Sequence, residues 1–185
     1  MLAVERRGRV LVATLARPPV NAIDGALLAR LDAIVTEVEA DAGISLLHLR
    51  SAQKSFCAGA DLALMRACMA SPGGTETMVG VVRDMQRVFA RMAAAPFVTL
   101  AEIGGAALGG GLELALLCDL RVAAPEASFA ACDFFRPAAL RCRAPCAAAL
   151  SIQRTSARCS SATFSWSPSS TAERRRRVYV LIVET

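Results

Sequence analysis

The stretch "ALGGGLELALLCD" (residues 107–119) sets three glycines against an apolar run that carries Glu113 in its midst. Glycine has no Cβ, so its backbone can approach another group closely. Residues 112–118, "LELALLC", read as a helix. Glycines ahead of a helix leave free N–H groups and a positive dipole end facing whatever sits before them. A developing negative charge is stabilised in such a place. Glu113 falls within the first turn. There it either favours the helix dipole or serves as a general acid/base in a dry pocket that raises its pKa, and the pattern alone leaves both open. Nucleotide loops do not explain the stretch. No Lys-Ser/Thr follows the glycines, and no third glycine completes G-x-G-x-x-G.

Reading outward, "GRVLVATLA" (8–16) is a strand by its β-branched alternation. "RPPVNAI" is a proline-interrupted loop. Asp24 caps a helix over 25–40, whose Leu27, Leu28, Leu31, Ile34, Val35 and Val38 recur at three and four. "ISLLHLR" (44–50) is a short strand, expected to be buried on both faces. "SAQKSFCAGA" is a loop, and Asp61 opens a helix, "DLALMRACM". "SPGG" breaks it. Residues 76–92 form a long amphipathic helix with Val79, Val82, Met85, Val88, Phe89 and Met92 inward. "FVTLAEI" is a buried strand, "DLRVAA" another, and "ASFAA" (127–131) a short one. The order β-α-β-α-α-β-α-β predicts an α/β domain with a mostly parallel sheet. Functional groups in such domains sit where strands end and helices begin.

Composition narrows the class. The chain has 185 residues, 55% hydrophobic and only 5% aromatic, enough for one domain whose core is largely Ala, Leu and Val. The most apolar window, 98–118, holds Glu102, Glu113 and five glycines, which argues against a membrane span. No long apolar segment follows the first charges, so a soluble, cytoplasmic protein is expected. Of the seven cysteines, Cys57, Cys68 and Cys118 sit in apolar or small-residue contexts and read as small hydrophobes. Cys142 and Cys146 lack a second pair, and His48 is the only histidine, so no metal is expected. His48 itself reads as a core residue of its strand. Residues 1–133 carry 12 Lys+Arg against 14 Asp+Glu, while 134–185 carry nine Arg against two Glu. The body therefore offers no basic patch for nucleic acid.

A second turn resembles the first. "SFCAGADL" (55–62) also joins a strand to a helix through small residues and ends at an acid. Two such turns can bring N–H donors onto one oxygen, an oxyanion hole. The pair "SFCAGADL" and "GGAALGGGLELALLCDLRVAA", with "RPPVNAID" before them, resembles the enoyl-CoA hydratase/isomerase (crotonase) superfamily over residues 9–130. The resemblance implies a crotonase-like spiral of ββα units and an acyl-CoA thioester substrate, with no cofactor beyond the CoA that the substrate carries. It implies an oxyanion hole from the N–H groups of Ala60 and Gly110. It implies a CoA site lined by Ala58, Ala60, Asp61, Leu62 and Ala63, and Glu113 as the first catalytic glutamate. In the hydratases a glutamate pair holds the water that adds to the enoyl double bond. Isomerases and other lyases of the superfamily share the hole, and Glu113 favours hydration over isomerisation, because isomerases lean on the second acid.

The chain departs from the family pattern after about residue 131. A "P-E" is expected there, then a glycine-rich loop and C-terminal helices that close the acyl pocket and build a trimer or hexamer. Here the place reads "FAACDFF", with Asp133 where the second glutamate would stand. Residues 1–133 are thus expected to form the core. Residues 134–185 read as a basic, poorly packed tail with no strand or helix of its own. Their Arg, Ala, Pro, Ser and Cys mixture is what GC-rich DNA gives when read out of frame; a natural disordered tail is the alternative. The activity expected is that of an enoyl-CoA hydratase, and a remnant that binds CoA without turnover is an alternative.

Overall fold

The computed structural model describes residues 2–130 and the backbone of 162–164 and 178–182. Strands β1 (Leu2–Arg7) and β2 (Val10–Leu15) form an antiparallel hairpin. Its turn is Gly8-Arg9, with Gly8 at φ 61°. Helix α1 (Gly25–Ala40) then leads to β3 (Leu46–Ser51). Helices α2 (Leu62–Ala70) and α3 (Gly74–Ala93) precede β4 (Val98–Ile103). After the two-residue strand β5 (Ala107–Leu108) come α4 (Gly110–Leu116), β6 (Leu120–Ala123) and β7 (Phe129–Ala130). Strands β8 (Ala162–Phe164) and β9 (Val178–Ile182) complete the described elements.

The main sheet runs β1-β2-β3-β4-β6-β9-β8. From β2 to β9 neighbouring strands are parallel, in a register of Val10 with Leu46, Leu46 with Val98, and Leu100 with Leu120. A mostly parallel α/β sheet was expected and is found. In the tail, β9 extends the sheet beside β6 and β8 pairs with β9. The sequence "VYVLI" of β9 is β-branched and apolar enough to be recognised as a strand.

Helix α1 occupies the span its periodicity gives. Asp24 Oδ1 accepts the Leu27 N–H at 2.8 Å, and all six apolar positions are buried. Full burial of each contributes about 1.5–3 kcal/mol. Two corrections apply elsewhere. Strand β3 is buried on one face only: Leu47 and Leu49 are fully covered, whereas Leu46, His48 and Arg50 are half-buried. Likewise Val98 and Glu102 of β4 are exposed. Among the described residues the core cluster joins α1 and α3 to one face of the sheet, so alternation replaces a continuous apolar run. Helix α3 buries Met85, Val88, Phe89 and Met92, but Val79 is 43% exposed. The helix is fastened to α1 by Arg91, which pairs with Asp32 at 2.8 Å and Glu39 at 2.5 Å. Its N-terminal half packs instead on α2, which buries only Cys68.

Candidate active site

The two glycine turns meet. Residue 57 forms a parallel bridge with Ala107, and Ala107 pairs with Phe129. Cys57 N–H donates to Ala106 O and Leu108 N–H to Cys57 O, at 3.2 and 2.9 Å. Past this seam lie Gly59, at φ 87°, and Gly109, at φ 51°. Only glycine adopts such angles freely. A Cβ on Gly59 would stand 2.8 Å from Leu108 O and 3.1 Å from Gly110 N, so the close approach itself demands glycine.

Each positive-φ glycine precedes one of the expected donors. Ala60 forms a parallel bridge with Ile23. Ile23 N–H donates to Gly59 O at 2.7 Å, and Asp61 N–H to Ile23 O at 3.0 Å. In that pattern the N–H of the bridged residue points away from its partner strand. The Ala60 N–H makes no hydrogen bond among the described residues. Gly110 opens α4, and the first N–H groups of a helix have no partner within it. Side chains of Ile23 and Met85 pack over Gly110, where an added Cβ would lie 3.3 Å from Ile23 Cδ1 and 3.5 Å from Met85 Sδ. These two residues, with Ala60, Leu64, Met65 and Val82, line an apolar recess of about 10 Å³ between α2 and α3. That is room for roughly one water.

Glu113 lies half-buried on the first turn of α4, its N–H donating to Gly109 O at 3.1 Å. Its carboxylate makes no hydrogen bond or ion pair among the described residues, and burial pushes its pKa up. The helix beneath is held at its other end by Arg121, 3% exposed. Arg121 Nη1 donates to the carbonyls of Ala115, Leu116 and Cys118 at 3.1, 2.9 and 2.6 Å. Thr99 and Asp119 interlock β4 with the entry to β6: Thr99 N–H and Oγ1–H donate to Asp119 Oδ2, at 2.9 and 2.8 Å.

The remaining expected residues fall as follows. Ala58 is half-buried, its N–H donating to Val20 O at 3.0 Å. Leu62 and Ala63 are exposed at the start of α2. Asp61 Oδ1 accepts the N–H groups of Ala63 and Leu64, and Asp61 Oδ2 pairs with Arg17 at 2.5 Å. The Arg17 hydrogen bond, aided by the Leu64 N–H, holds the Asp61 carboxyl below the usual carboxylate range. Asp133 lies outside the described residues. His48 stands on the half-buried outer face of β3 rather than in the core, its Nε2 2.8 Å from Glu102 Oε2 and outside the angles of a directed hydrogen bond.

Sequence reading passed over Asn21. It is fully buried at φ 53°, in the left-handed region that asparagine tolerates. Its Nδ2 donates to Ser51 Oγ at 2.7 Å and Phe56 O at 3.0 Å, while Oδ1 accepts the Arg17 N–H at 2.8 Å. It therefore ties the loop before α1 to the turn that carries Gly59. An asparagine in a loop after Pro-Pro signals a turn, but its burial and distant partners do not show in the sequence.

The comparisons agree with this architecture. The sequence profile of the enoyl-CoA hydratase/isomerase family matches residues 5–134, and the chain belongs to that family. A probable enoyl-CoA hydratase of Rhizobium meliloti is 36% identical over 129 residues, covering 69% of this chain and 48% of its own length. A crotonyl-CoA hydratase of Syntrophomonas wolfei is 35% identical over 130 residues, covering 69% of this chain and 48% of its own. The crystal structure of an enoyl-CoA hydratase from Bacillus anthracis superimposes with a TM-score of 0.62 at 32% identity, over 69% of this chain and 49% of that one. The fold is thus the crotonase fold, and the chain spans about half the length of the curated relatives it matches.

Proposed function

We propose that this site hydrates the 2,3 double bond of an enoyl-CoA thioester. In this reading the thioester oxygen accepts hydrogen bonds from the N–H groups of Ala60 and Gly110. Addition at C3 moves charge onto that oxygen, so the donors bind the enolate more tightly than the ground state, which is how binding becomes rate. Glu113 takes a proton from the adding water, and a second acid delivers one to C2. Asp133 is the residue proposed for that second role. Hydration moves no net electrons, so the proposed reaction needs no redox cofactor.

The observation that carries this reading is the contact between the Gly59 and Gly109 turns, with Ala60 N–H unused beside Gly110 N–H. A second reading is favoured by Asp133 in place of the expected glutamate: a protein that binds CoA thioesters without turning them over. Incubation of crotonyl-CoA in D₂O separates the readings. Hydration yields a 3-hydroxyacyl thioester with deuterium at C2. Isomerisation shifts the double bond with no gain of water. Binding alone leaves the acyl mass unchanged, and that result in a folded, CoA-binding chain would overturn the hydratase reading.

A further inference from the structure

We infer that Arg17 is a positioning residue for the Ala60 donor, acting through a clamp on Asp24 and Asp61. The inference rests on the oxyanion-hole reading above. Arg17 follows β2 and is 29% exposed. Its Nη2 lies 2.5 Å from Asp61 Oδ2, its Nε lies 3.1 Å from Asp24 Oδ2, and its Nη1 donates to Ala22 O at 3.1 Å. One guanidinium thus holds three groups on two segments.

Both acids are divided in the same way. Asp24 Oδ1 caps α1 through Leu27 N–H, and Asp61 Oδ1 caps α2 through Ala63 and Leu64 N–H. In each the other oxygen faces Arg17. The clamp therefore joins the starts of two helices, α1 and α2. Between those starts run the paired backbones of Ile23 and of Gly59 to Asp61. Ala60 sits inside this frame, one residue from the clamped Asp61 and one from Gly59.

That placement matters because the Gly59-Ala60 peptide is intrinsically loose. Gly59 at φ 87° resists no rotation through a side chain, so the direction of the Ala60 N–H depends on its flanks. The Ile23 pairing fixes one side, and the clamped Asp61 fixes the other. A transition-state donor must be held within about 0.5 Å of its working position to retain its value. The planar fork of arginine satisfies two carboxylates at once, which a lysine ammonium on a flexible stem does not. Loss of the clamp should therefore weaken enolate stabilisation while leaving the CoA surface in place.

The test uses the full 185-residue chain and acetoacetyl-CoA, whose enolate absorbs in the near ultraviolet. The parent is expected to raise the enolate fraction of the bound probe above that of the free probe at the same pH. Arg17→Met should reduce that enrichment about tenfold or more while CoA affinity stays within about twofold. Asp61→Asn keeps a capping oxygen and removes only the charge that Arg17 holds, and should act in the same direction. Arg17→Lys should recover part of the loss. Unchanged enrichment in folded Arg17→Met and Asp61→Asn would overturn the clamp. Should circular dichroism show Arg17→Met unfolded, Asp61→Asn decides with the same two outcomes. A parent that binds the probe without enrichment sinks the oxyanion-hole reading, and the clamp with it. Enrichment in the parent with unaffected variants sinks the clamp alone.

Discussion

The proposed chemistry falls on Glu113 at the scale of one residue. Burial raises its pKa, so its ionised form is lost on acidification earlier than that of an exposed glutamate. As the base that accepts a proton from water, it should therefore give a kcat/KM that falls with decreasing pH above the usual carboxylate range. The same shift bears on stability. A folded pKa above the unfolded one means the folded chain binds the extra proton, so stability falls as pH rises through the window between the two values. Glu113→Gln should abolish that fall and be at least as stable as the parent at neutral pH, which urea midpoints across the window would measure. Asn21 makes the opposite case. Asn21→Ala would leave the Arg17 N–H and Phe56 carbonyl unpaired at a left-handed φ, and should cost about 2–4 kcal/mol in denaturant unfolding. The place of Glu113 on the first turn of α4 was legible from "GGGLEL", where glycines run into a helix that carries the acid early. The role of Asn21 was not, because it depends on Ser51 and Phe56, thirty and more residues away.

Elements place these residues, and here legibility follows periodicity. Helix α1 was readable to its cap, because six apolar positions and Asp24 all agree. The faces of β3 and β4 were not, because "ISLLHLR" and "FVTLAEI" do not say which side a helix covers. The inward set of α3 was right from Met85 onward and failed at Val79, which is exposed, and in part at Val82, which is half-buried. Strand β1 was missed since Glu5, Arg6 and Arg7 hide its pairing with β2. The contact of the two glycine turns is the element-scale claim most open to test. Gly59→Ala would force a Cβ against Leu108 O and Gly110 N in a left-handed residue. It should destabilise the chain by about 1–3 kcal/mol. It should also reduce turnover further than Asn21→Ala at matched folded fraction, because it displaces a donor as well as loosening the fold.

At the scale of the whole molecule, apolar side chains stand exposed around α2 among the described residues. Leu62 is 66% exposed, Met69 80% and Val79 43%, all on α2 or the adjoining part of α3. Exposed apolar surface of this kind associates with other surfaces. The chain should therefore scatter light increasingly with concentration, and Leu62→Lys with Met69→Lys should lessen that scattering without lowering the unfolding midpoint. No helix among the described residues is long and apolar enough to cross a membrane. The account stands most directly on hydration of crotonyl-CoA, followed as loss of enoyl-thioester absorbance, by the chain and by Glu113→Gln. It predicts turnover by the parent and a loss of at least about 10² in the variant. A folded parent that binds CoA but shows no loss of absorbance, or a variant as fast as the parent, would contradict it.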